Sequence, residues 1–115
     1  MAPRAVEKTT WFAVKFKLKN MDLFPALTGF YEAIEDDPRI GTTHISLYMA
    51  LLQQWNINGG KNPFTIVRIN IMRAAKINAR YTYNKCMNNL QEFGYIKYMP
   101  STNAFNNSTV FLKGL

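Results

Sequence analysis

At Gly94 the apolar periodicity of this 115-residue chain changes, and that change limits the folds open to it. In most of the stretch from Leu23 to Phe93 apolar side chains recur every three or four positions, the spacing that gathers them on one face of a helix. After Gly94 the chain reads "YIKYM" and "STVFL", two short β-rich runs joined by "PSTNAFNN", which is made largely of turn residues. A chain that finishes a series of helices with a β-hairpin belongs to an α+β class in which helices dominate.

The helical part is punctuated into segments. In "DLFPALTGFYEAIEDDP", Leu23, Leu27, Phe30/Tyr31 and Ile34 share a face; Asp22 can cap the start, Pro25 suits the first turn and Pro38 stops the helix. A second helix is predicted after Thr42/Thr43, either of which can serve as N-cap, with Ile45, Tyr48, Leu51/Leu52 and Trp55 inward and Gly59-Gly60 at its end. "PFTIV" is short and β-rich and reads as a brief strand. "RINIMRAA" follows as a short helix with Ile71/Met72 and Ala75 inward, and after the "KIN" turn a last helix is predicted over about residues 78–93. Ahead of all these, Phe12, Val14, Phe16 and Leu18 alternate with Ala13, Lys15, Lys17 and Lys19, the period of a half-buried strand or extended arm. The expected organisation is an N-terminal strand or arm over residues 1–20 and one domain over residues 21–115, its hairpin spanning about 95–112.

Charge is unevenly distributed. Residues 1–60 hold six basic groups (Arg4, Lys8, Lys15, Lys17, Lys19, Arg39) and six acidic ones (Glu7, Asp22, Glu32, Glu35, Asp36, Asp37). Residues 61–99 hold seven basic groups (Lys61, Arg68, Arg73, Lys76, Arg80, Lys85, Lys97) against Glu92 alone, and Lys113 completes the net +7. Cations concentrated in one third of a chain make a local positive field that attracts polyanions. On the last helix, Tyr83, Cys86/Met87, Leu90 and Phe93 share the inward face, while Tyr81, Asn84, Lys85 and Asn88 fall at i, i+3, i+4 and i+7 opposite, with Arg80 at the upper edge. The outward face reads as free of carboxylates. Lys and Arg can donate to guanine O6/N7, Asn can pair with adenine N6/N7, and Tyr81 can reach a phosphate or a sugar. A solvated face with no partner is the plain alternative for the same residues.

Over roughly residues 42–112 the order of elements resembles the winged helix-turn-helix DNA-binding domain. The likeness is most specific in "TYNKCMNNLQEFGYI", where Leu90 and the step Gly94-Tyr95-Ile96 match the end of a recognition helix and the entry to a wing. The longer run "THISLYMALLQQWN…NPFTIVR…TYNKCMNNLQEFGYIKYMPSTN" is similar to small regulator or replication-associated proteins of bacterial mobile elements. The resemblance implies that Arg80, Tyr81, Asn84, Lys85 and Asn88 face bases in a major groove. It assigns Arg68, Arg73 and Lys76, around the preceding helix, to the phosphate backbone, together with Lys97 and Lys113. Two positions depart from the pattern: the turn "AKINAR" has no glycine, and Val67 stands before Arg68 where a polar cap is usual.

Other chemistry is poorly supplied. His44 is the only histidine, so a Ser-His-Asp triad or a histidine-rich metal site cannot be built in one chain; it is expected to be half-exposed and inert. Cys86, the single cysteine, falls on an inward face and excludes an internal disulfide. Glu32, Glu35 and Asp36 read as a solvated helical face, and Gly59-Gly60-Lys61 lacks the phosphate-loop pattern. No metal, cofactor, small-molecule effector or catalysis is expected. No apolar run approaches the roughly 18 residues of a membrane span, and "MAPRAVEKTTWFAVKFKLK" is broken by lysines where a signal peptide would be apolar, so a soluble, cytoplasmic protein is expected. The expected function is sequence-selective binding of double-stranded DNA in transcriptional regulation. DNA binding for replication initiation or excision on a mobile element is the nearest alternative. A winged-helix module that binds protein, dimerising through residues 12–18, is the alternative from another class, and an RNA role is a lesser one.

Overall fold

A computed structural model of the chain describes residues 23–101 and 107–115. The N-terminal strand or arm, the Asp22 cap and most of the turn-rich loop expected between the last two strands lie outside the described residues. Among those described are four helices, α1 (Leu23–Ile34), α2 (Thr42–Ile57), α3 (Arg68–Ala75) and α4 (Arg80–Glu92), and three strands, β1 (Phe64–Ile66), β2 (Ile96–Met99) and β3 (Ser108–Leu112). The class is α+β and mainly helical. No helix among the described residues is long and apolar enough to cross a membrane.

α2 is the central element. Leu47, Tyr48, Ala50, Leu51, Leu52 and Trp55 are all buried, so the helix is covered on more than one side. It packs against α1, α3, α4 and β1. Phe30 of α1 stacks on Tyr48 with ring centroids 3.7 Å apart, and Ser46 donates a hydrogen bond to the Ala75 carbonyl at the end of α3. The start of α2 differs from expectation. Neither Thr42 nor Thr43 is the cap; Gly41 occupies that position in extended conformation, and its N–H donates to Nδ1 of His44, one turn on, at 3.0 Å. Reciprocal capping from the third helical position is usually the work of Glu or Gln, and here an imidazole does it. At the other end Gly59 and Gly60 take φ of +76° and +74°, and the Gly60 N–H reaches the Trp55 carbonyl at 3.0 Å. That left-handed pair is where the chain needs glycine.

The strands form one antiparallel sheet in the order β1-β3-β2. Phe64 pairs with Val110 and Ile66 with Ser108; Ile96 pairs with Leu112 and Met99 with Thr109. Phe64, Ile66, Ile96, Val110 and Leu112 are buried while Thr65, Lys97 and Phe111 are exposed, the alternation a one-sided sheet requires. Before β1, Asn62 prolongs the pairing with its side chain: its Nδ2 donates to the Leu112 carbonyl at 2.7 Å, and its Oδ1 accepts from the Leu112 N–H at 2.9 Å.

A candidate nucleic-acid interface

α3 and α4 are consecutive helices joined by a tight turn, and both lie on α2. α3 buries Ile71, Met72 and Ala75 and starts after Val67, whose side chain makes no cap hydrogen bond. The turn without glycine is made by Lys76, which itself adopts the left-handed conformation (φ 61°, ψ 36°). The Ile77 N–H then closes back to the Met72 carbonyl at 2.9 Å, and the Ile77 side chain is buried. Those two features are the closing bond and apolar contact of a helix terminus usually built on glycine.

α4 divides as its spacing predicts. Tyr83, Cys86, Met87 and Leu90 are buried, whereas Arg80, Tyr81, Asn84, Lys85 and Asn88 are all exposed, Tyr81 to 75%. The helix begins at Ala79 without a side-chain cap and with no acidic residue in its first turn, which leaves backbone N–H groups and the positive end of the helix dipole open. It ends where Gly94 turns to φ +90° and the Tyr95 N–H reaches the Leu90 carbonyl at 2.9 Å. The Gln91 side-chain oxygen accepts the Tyr98 N–H at 2.6 Å, fastening helix to strand.

One expectation for this face needs correction. Glu92 is exposed and stands at i+4 from Asn88 and i+7 from Lys85, so the outward row does end in a carboxylate. Its charge helps to hold the Arg39 guanidinium protonated. The carboxylate-free part is therefore residues 80–88. The cations assigned to a backbone role, Arg68, Arg73, Lys76, Lys97 and Lys113, are all exposed, and none is ion-paired with a described carboxylate. Lys113 sits apart: it lines an apolar trough with Pro25, Phe30 and Tyr48, on the α1 side of the molecule.

The side chains that hold α4 from outside were not expected. Asp37, in the α1–α2 link, accepts from Arg39 Nε and Nη2, both at 2.8 Å, and from the Tyr95 hydroxyl at 2.6 Å. The Arg39 hydrogen bonds, then that of Tyr95, keep the Asp37 carboxyl well below the usual carboxylate range. Burial first, and the Asp37 bond second, push the Tyr95 phenol up to about 12. The Arg39 guanidinium carbon lies 4.3 Å from the centre of the Phe93 ring. His44 is not inert: besides capping α2 it places Nε2 3.0 Å from the side-chain amide of Asn89 in α4. Burial of the Cys86 thiol raises its pKa, as suits a structural cysteine.

No group of three or more His, Cys, Asp or Glu side chains among the described residues is placed to hold a metal ion. Compared with known protein families, curated proteins and solved structures, the chain matches none of them.

Proposed function

We propose that the chain binds double-stranded DNA sequence-selectively, as a winged helix-turn-helix domain whose recognition helix is α4 and whose wing is the β2–β3 hairpin, and that it serves transcriptional regulation. The observation that carries this reading is the division of α4. A buried apolar face anchors it on α2, and the opposite face of Tyr81, Asn84, Lys85 and Asn88, with Arg80 beside it, is exposed. A helix so mounted fits a major groove about 12 Å wide. Lys85 is assigned to guanine, Asn84 and Asn88 to adenine. The order of elements, with β1 paired to the far strand of the hairpin, supports the same architecture. Arg73 and Lys76 flank the turn before α4 and are assigned to phosphates, as are the open N–H groups at the start of α4.

Selection of bound sequences from a random duplex pool at two salt concentrations tests the reading. A consensus is expected, with log K falling against log salt by about 0.9 per phosphate neutralised. Lys85→Ala is expected to cost about 1–3 kcal/mol at one base position and relax the preference there. Arg73→Ala is expected to weaken all duplexes alike and flatten the salt slope by about one unit. Binding independent of salt, or a consensus untouched by Lys85→Ala, would count against the assignment.

A further inference from the structure

The link between α1 and α2 and the first turn of α2 grip the C-terminal half of α4 through side chains. His44 is the member whose hydrogen-bonding capacity changes with a proton. Its Nδ1 faces the Gly41 N–H at 3.0 Å, and a backbone N–H can only donate. Nδ1 is therefore bare, and the proton of the neutral ring is on Nε2. The Asn89 side-chain nitrogen lies 3.0 Å from Nε2, and because two donors cannot bond, the amide is assigned the opposite orientation, with its oxygen towards the ring. One tautomer thus closes two bonds, one within α2 and one from α2 to α4, while the ring leans on Phe93 at 6.1 Å between centroids.

Adding a proton to Nδ1 sets two donors face to face and removes the bond to Gly41. Nε2–H still donates, so Asn89 is let go only as the charged ring swings away from the Gly41 N–H. The surroundings bear on the same event. Burial opposes the charged ring most; Lys85, from α4, opposes it too; Asp37, from the link, favours it. Asp37 is already engaged by Arg39 and Tyr95, and Arg39 lies within the influence of Glu92.

We propose that His44 is a positioning residue for α4: a proton-labile brace that fixes the pose of the helix through Asn89 and releases it on acidification. Its consequence for DNA rests on the function proposed above; the brace itself does not. The expected sign is distinctive. A histidine that merely adds positive charge near DNA would tighten binding as pH falls, whereas release of the brace loosens specific binding. One linked proton lowers the ratio of specific to non-specific affinity by up to about tenfold per pH unit below the His44 midpoint.

The test uses the full chain. Ring nitrogen NMR is expected to show His44 as the Nε2–H tautomer at neutral pH with a midpoint below 6.5, and hydrogen exchange in the second half of α4 is expected to accelerate as pH falls through that midpoint, after correction for intrinsic exchange. In parallel, affinities for a selected and a random duplex are measured between neutral and mildly acidic pH. The wild-type ratio should fall. His44→Gln, which keeps an acceptor at the capping position but does not titrate, should give a flat ratio, and Asn89→Ala a low ratio at every pH. An Nδ1–H tautomer, α4 exchange indifferent to pH, or a His44→Gln ratio that follows the wild-type curve would overturn the proposal. If no duplex is bound at all, the DNA reading fails and the NMR and exchange results alone decide the brace.

Discussion

Lys76 shows how much one backbone angle can be asked to hold. A non-glycine residue in the left-handed region costs about 1–2 kcal/mol, because its Cβ crowds the following carbonyl. The cost is sustained by the Met72–Ile77 closure and the burial of Ile77. Replacing Lys76 by Gly removes the crowding but adds backbone freedom to the unfolded chain. The expected net is a gain of about 0.5–1 kcal/mol in urea unfolding. Because Lys76 is also assigned to phosphate, the same variant should bind all duplexes more weakly. Stability rising while affinity falls would identify a residue retained for its charge in spite of its geometry.

Among the elements, α3 offers a parallel case. Val67 at its N-cap has extended geometry (φ −108°, ψ 117°) and gives no side-chain hydrogen bond, although that backbone suits an Asp. Val67→Asp is expected to add about 0.5–1 kcal/mol of stability through the cap and the helix dipole. Next to phosphate the added carboxylate should repel, so duplex affinity should drop; equal stability and equal affinity would argue that the start of α3 faces neither. How far the elements could be read in advance follows from what made them. The helices and strands were legible because period and punctuation are local: Leu90 and Gly94 announce the end of α4 without reference to any other segment. The β1–β3 pairing, the Asn62 clasp on Leu112, the Arg39–Asp37–Tyr95 chain and the His44–Asn89 contact join residues distant in sequence or depend on a tautomer, and no spacing encodes them. The cap of α2 is not legible because histidine is an uncommon partner at the third helical position, where threonine ahead of it fits the usual pattern. Glu92 stands one turn beyond Asn88, past the spacing that defines the outward face.

Over the molecule as a whole, charge and connectivity work separately. Glu32, Glu35 and Asp36 are exposed around the end of α1, while most of the exposed cations lie on and around α3, α4 and β2, so charge is unevenly shared among the described elements. Such a distribution orients an approaching polyanion before any base is read. The sheet imposes a different constraint, since β1 and β2 both pair with β3 and not with each other. Deleting residues 108–115 is expected to leave far-UV helical signal but abolish the sharp thermal transition and raise binding of a hydrophobic dye, as Phe64, Ile66 and Ile96 lose their cover. A truncated chain that still melts cooperatively would show that α1, α2, α3 and α4 are self-sufficient. The strand order also sets a schedule for biosynthesis: β1 leaves the ribosome well before β3, and β2, which comes between them in the chain, does not pair with β1. The nascent chain must then carry two bare ribbon edges until Leu112 clears the exit tunnel, and a chaperone that recognises extended apolar segments would find its window there.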